Sequence, residues 1–238
     1  MRKLQSTQTG AMPKVAALAT GGPSRNTQSL SEQAYTAIEE MIVMQELAPG
    51  MMVSEAELVE QLDCGRTPIR EALLRLKLEG YIEVHPRRGA LVTSVDIVRQ
   101  LELLEARRPL EELVARLAAL RATAEERRQC KVLSRDIRKA AKANDRRAFY
   151  EANKAIHGFL EAAAHNSALA KTIGAIHAHS RRFWYAHIGM EYMSKAAEHH
   201  AETLDQIARG DGEAAAKAAL ALMDYLEVLT RQAIDRRT

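Results

Sequence analysis

From Leu30 the apolar positions Leu30, Ala34, Ile38, Met41 and Ile42 recur at helical spacing and stop before the turn signal Pro49-Gly50, which predicts a first helix. Ser54 is followed three residues on by Glu57, a capping box in which each side chain satisfies the other's backbone N–H. It opens a short second helix through Leu58, Val59 and Leu62 that stops near Asp63 to Gly65. A third helix is expected with Thr67 as its cap, Pro68 in its first turn, Ile69, Ala72, Leu73 and Leu76 as its buried stripe, and Gly80 at its end. Two β-prone segments, Tyr81–Val84 and Ala90–Thr93, then flank Pro86-Arg87-Arg88-Gly89 and read as a hairpin. Three helices and a hairpin, in that order, make a winged helix-turn-helix.

Beyond Asp96 the pattern is almost purely helical. It is interrupted at Thr123 with Glu126, Asp145, Asn166-Ser167, Ser194 and Gly210-Asp211-Gly212, which predicts six helices. The first carries Leu101, Leu104, Leu110, Leu113, Leu117 and Leu120, and the last carries Ala215, Ala218, Ala219, Leu222, Leu226 and Leu229. Each stripe needs a partner face, so an antiparallel bundle follows. The expected fold is mainly α, with a flexible arm over 1–28, a winged helix-turn-helix over 29–95 and an all-helical domain over 96–238. The arm is expected because Gly21, Gly22, Pro23, Ser24 and Asn26 interrupt a stretch without apolar periodicity.

Composition agrees with helices, since aromatics are only 4% of the chain while hydrophobic residues reach 47%. Cys64 and Cys130 match no zinc-ribbon or CxxC spacing and read as free thiols. No stretch approaches a membrane span or a signal-peptide core, so a cytoplasmic protein is expected. The net charge of +3 is less informative than its distribution. Residues 29–95 hold six Lys/Arg against eleven Asp/Glu, so DNA binding by this segment requires its positive charge to gather on one face.

The third helix offers such a face. Arg66, Arg70 and Lys77 fall within one arc opposite the apolar stripe, with Thr67 near the start, where a recognition helix in the major groove meets bases and phosphates. Arg87 and Arg88 stand on the hairpin turn. Taken with Leu47-Ala48-Pro49-Gly50, Glu55-Ala56-Glu57-Leu58, Gly65 to Leu73, Glu79-Gly80 and Arg88-Gly89-Ala90, the segment resembles the GntR family of bacterial regulators. That resemblance implies operator contacts from Arg66, Thr67 and Arg70 and a wing tip at Gly89. The candidate DNA-binding set is Glu55, Arg66, Thr67, Arg70, Lys77, Arg87, Arg88 and Gly89. Gly65 stands where the family usually has Ser, and Ala56 where it often has Arg, so the operator sequence does not carry over.

Seven of the eight histidines follow residue 150, and imidazoles on helices suggest either a metal or nothing beyond a solvated face. The segment from Asp96 resembles the FCD effector domain of the FadR subfamily. The residues that carry this are Arg107-Arg108-Pro109-Leu110-Glu111, Ala115, Leu117 to Ala119, Ile156-His157 with Asn166, and His200 to Ile207 with Gly210-Asp211. Metal-binding members of that domain use an Asp and a His four apart and two further His. Here the corresponding positions are Asn153, His157, His200 and Leu222. Zinc or nickel would find only His157 and His200, so no cofactor is expected. With that set incomplete, direct binding of a small carboxylate is expected instead, by the positive and donor groups of Arg107, Asn153, His157, His177, Arg181 and His200.

The function expected is a ligand-responsive transcriptional regulator: a homodimeric repressor on a palindromic operator of double-stranded DNA, released by an anionic metabolite. The rivals are a metal-dependent helical enzyme carrying a winged-helix appendage and a protein-interaction module. No complete metal set or nucleophile–base pair supports an enzyme.

Overall fold

The computed structural model describes residues 29–187, 189 and 192–235; the arm expected over 1–28 lies outside them. The chain divides into two compact units between Ser94 and Val95.

In the first unit the helices are α1 (Leu30–Val43), α2 (Glu55–Leu62) and α3 (Arg66–Leu78), and the strands are β1 (Met52–Val53), β2 (Ile82–His85) and β3 (Gly89–Val92). Ser29 caps α1 by accepting from the Glu32 N–H, and the Ser54–Glu57 capping box opens α2 as its spacing predicts. Ile38, Met41, Ile42, Leu58, Leu62, Ile69 and Leu76 form the core beneath α3. The sheet order is β1-β3-β2, all antiparallel, with Met52 opposite Leu91 and His85 opposite Gly89.

Three details differ from the sequence reading. The cap of α3 is Gly65, extended at φ −64° and ψ 160° with no side-chain cap, so Thr67 lies inside the first turn. Leu73 is only half-buried, because Ile69, Ala72 and Leu76 already fill the narrow stripe facing the core. Strand β1 was not predicted, since two residues carry no period; its place is set by pairing with β3.

The second unit holds α4 (Ile97–Arg121), α5 (Ala124–Lys142), α6 (Arg146–Ala163), α7 (Ser167–His187), α8 (Met193–Arg209) and α9 (Gly212–Asp235). Thr123 with Glu126 forms a second capping box, and Asp145 caps α6. Helix α8 begins at Met193, one residue before the break expected at Ser194. The stripe predicted on α4 holds only in part: Leu104 is buried and Leu110 and Leu117 pack against the core, but Leu113 and Leu120 are exposed, and Val114, Ala115, Ala118 and Ala119 supply the rest of the buried face. Small side chains there let α9, through Ala215 and Ala219, approach closely, and one hydrophobic cluster joins these residues to α5, α6, α7 and α8. The same α4 also buries Arg107 and Glu111.

Candidate nucleic-acid interface and ligand cavity

Helix α3 presents Arg66, Thr67, Arg70 and Lys77 to solvent. Its remaining arginine, also exposed, is engaged within the unit: the Arg75 guanidinium lies 3.6 Å from the Tyr35 ring centroid and pairs with Glu79 and Glu32. The outer basic residues are thereby separated from the structural one. Because Gly65 offers no side-chain cap, the first N–H groups of α3 stay available to an anion. Glu55, on α2, accepts from Arg70 Nε at 2.8 Å. An acidic side chain repels phosphate, and this one is engaged by Arg70 instead.

In the wing, Arg87 and Arg88 are exposed, and Arg87 has a left-handed φ of 63°. Gly89 is not the tip but the first residue of β3. Its φ is +106°, and a Cβ built on it would lie 2.4 Å from the Val53 carbonyl oxygen. Only glycine lets β3 pass β1 at this point.

Core-facing stripes of the second unit carry polar groups that converge. Arg107 donates to Glu111 Oε1 from Nε at 2.7 Å and from Nη2 at 2.5 Å, and both residues are buried. The same Glu111 oxygen lies 2.9 Å from His177 Nε2, and His177 Nδ1 lies 2.8 Å from Glu161 Oε1. Carboxylates accept, so a doubly protonated His177 satisfies both. Gly174 leaves room for the Glu161 carboxylate, which would sit 3.4 Å from a Cβ there. Burial alone would raise the Glu111 pKa, but the charges of Arg107 and His177 outweigh it and hold the carboxyl well below its usual range.

His157 stacks on His177 with ring centroids 3.8 Å apart. Burial, reinforced by the neighbouring charges of His177, Arg107 and Arg181, pushes its pKa well below the ordinary imidazole value, so the ring is neutral. Its Nε2 lies 3.1 Å from Arg107 Nη2 and its Nδ1 lies 3.2 Å from Arg181 Nη1. A guanidinium only donates, and a neutral imidazole accepts at one nitrogen. Arg107 is pinned by Glu111, which assigns the accepting lone pair to Nε2 and the proton to Nδ1. Nδ1–H and the Arg181 guanidinium then face each other, donor against donor. His200, lowered to about 3 mainly by burial, is neutral too, and its Nε2 lies 2.9 Å from the Asn153 amide nitrogen.

These groups line a cavity of about 100 Å³. Arg107, Asn153, His157, Arg181 and His200 stand on its wall, together with Phe149, Tyr150, Trp184, Tyr185, Tyr192, Met193, Leu226 and Leu229. Five of the six residues expected to hold an effector are thus brought together. His177 is not on that wall; fully buried, it lies behind His157. The sequence reading gave no role to Glu111, Glu161 or the aromatic wall. The i, i+4 spacings Arg107–Glu111, His157–Glu161 and His177–Arg181 were the available signal.

The residues do not fit a divalent ion. Glu111, His157 and His177 lie close enough to ligate one, but the Arg107 guanidinium bonds both Glu111 and His157 and fills the cation's place. The other set is no better: the Asn153 amide covers His200 Nε2, and Leu222 sits in an apolar cluster with Leu104, Met223 and Leu226.

Residues 30–92 match the model of the gntR family of bacterial regulatory proteins, and residues 102–225 match that of the FCD domain. An uncharacterized HTH-type transcriptional regulator from an unstable DNA locus of Streptomyces ambofaciens is 30% identical over 74% of this chain and 75% of its own length. The HTH-type transcriptional repressor RspR of Escherichia coli K12 is 26% identical over 87% of this chain and 91% of its own. Among solved structures, McbR/YncC of E. coli shares the fold with a TM-score of 0.76 at 21% identity, covering 86% of this chain and 98% of that one. Among the described residues, no helix is long and apolar enough to cross a membrane.

Proposed function

The chain belongs to the GntR family of transcriptional regulators with an FCD domain, and from that premise we propose that it is a homodimeric repressor released from a palindromic operator by a small carboxylate. The observation that carries the ligand half is the donor pair on the cavity wall. His157 Nδ1 and Arg181 Nη1 lie 3.2 Å apart; with the proton on Nδ1 both donate, and an oxygen anion beside them accepts from both. Arg107 adds positive charge on the same wall without needing a metal. The base- and phosphate-contacting set is Arg66, Thr67, Arg70, Lys77, Arg87 and Arg88, with Glu55 orienting Arg70 and Gly89 shaping the wing. Support for a dimer comes from Leu113 and Leu120, seven residues apart on one face of α4 and open to solvent in a single chain.

Relatives and family are transcriptional regulators rather than enzymes, so ligand binding acts by redistributing conformations. A ligand that favours one arrangement of the two recognition helices changes operator affinity by its differential binding energy. The test is a gel shift on DNA flanking the protein's own gene, titrated with small carboxylates. Release of DNA is expected, with Arg181→Gln blunting the response while leaving ligand-free DNA binding intact. Tighter DNA binding in the presence of carboxylate would refute the repressor-release reading.

A further inference from the structure

The cavity walls say more about the ligand than that it is an anion. The chain has three Phe, one Trp and six Tyr, and five of these ten aromatics, Phe149, Tyr150, Trp184, Tyr185 and Tyr192, border this cavity. In a protein so poor in aromatic residues, that concentration is a property of the site. Three are held by neighbours that fix their rings: Tyr150 meets Tyr185 edge-on with centroids 6.2 Å apart, the Arg146 guanidinium lies 4.0 Å from the Tyr185 centroid, and Trp184 meets Phe183 edge-on at 5.1 Å. Leu226 and Leu229 of α9 close the wall with aliphatic surface.

The polar groups are arranged differently. Arg107, His157 and Arg181 are contiguous, and Asn153 and His200 are bonded to each other beside them. Arg146, the other cation on the wall, is turned to Tyr185, whose ring and carbonyl oxygen it meets, so a single compact charge, and not a line of hydroxyls, is what the set satisfies. A polyhydroxy acid would leave several hydroxyls against rings, and each buried hydroxyl without a partner weakens binding. A flat ring would instead meet the aromatic edges and faces it prefers. Trp184 also brings a buried donor, Nε1, with no acceptor among the described residues, and an oxygen on the ligand's ring would meet it.

We infer that the effector is a single-ring aromatic monocarboxylate, its carboxylate received by His157 and Arg181 and its ring by the wall around Trp184. This rests on the carboxylate reading above and narrows it. The direct test is titration of the native full-length protein with benzoate, gluconate and benzamide, followed by calorimetry and by the emission of Trp184, the chain's one tryptophan. Benzoate is expected to bind at least about tenfold more tightly than either comparator and to change the Trp184 emission. Trp184→Leu should bring the benzoate-to-gluconate ratio towards one in calorimetry.

The failures separate. Gluconate binding as tightly as benzoate overturns the aromatic inference and leaves the carboxylate reading standing. Benzamide binding as tightly as benzoate overturns the carboxylate reading, and the inference with it. No binding by any of the three at millimolar concentrations overturns both.

Discussion

At Gly89 the backbone, not a side chain, sets the requirement. Its φ of +106° is a region that L residues avoid, and the Val53 carbonyl oxygen 2.4 Å from an added Cβ leaves no room for one. Gly89→Ala must therefore either strain the chain or part β1 from β3, at a cost of about 1–3 kcal/mol to the winged unit. Urea unfolding followed by circular dichroism checks this, and a loss below about 0.5 kcal/mol would show that the strands can shift. The glycine was legible in the sequence as part of a motif, but its reason was not, because the atom it avoids lies 36 residues away on a strand too short to predict. Thr67 shows the opposite error. A residue of capping type stood at the right place, yet extended Gly65 begins the helix and needs no hydroxyl.

At the scale of helices, period reveals a face but not its depth. The positions Asn153, His157 and Glu161 share one face of α6, and that much can be read from spacing alone. Whether a polar group on that face reaches a cavity or lies behind its wall depends on α4 and α7. His177 was expected on the wall for this reason, and the structure places it one layer deeper, between Glu111 and Glu161. The network must stand or fall together. Glu111→Gln removes the carboxylate that receives both Arg107 and His177, leaving buried positive charge uncompensated, and should cost about 3–5 kcal/mol of stability. Denaturant unfolding gives the number, and a cost under about 1 kcal/mol would mean that Glu161 or water takes over.

The same network sets a direction for acid sensitivity. Buried His157 and His200 are neutral when folded, His200 down to about 3, whereas unfolded imidazoles bind protons near about 6.5. Below that pH the unfolded state binds more protons than the folded one, so stability is fully present above it and is lost as pH falls towards 3. Glu111, also depressed on folding, adds loss below the ordinary carboxylate range. Tm measured from pH 7.5 downward should drop before carboxylates titrate, and His200→Gln should flatten the first part of that fall. A flat profile between pH 7 and 5 would contradict the buried neutral histidines.

For the whole molecule, the two-unit organisation was legible because turn chemistry and period change together near residue 95, whereas the surface proposed to join two copies was not. Periodicity puts Leu113 and Leu120 in one set with the core-facing leucines of α4, because spacing does not distinguish a face buried within a chain from a face left open on it. In the folded chain Leu104, Leu110 and Leu117 turn inward with the alanines of α4, whereas Leu113 and Leu120 remain 41% and 62% exposed. If that face joins two copies, Leu113→Glu with Leu120→Glu places two carboxylates in each half of an isologous contact and repels its own image. Sedimentation should then report a monomer with unchanged helical content. A monomer offers one recognition helix to a palindrome, so operator affinity should fall by about 100-fold or more, while benzoate binding through Arg181, His157 and the aromatic wall of each chain should persist. A double variant that stays dimeric would move the interface to another face. A monomeric variant with undiminished operator affinity would remove the palindrome from the mechanism.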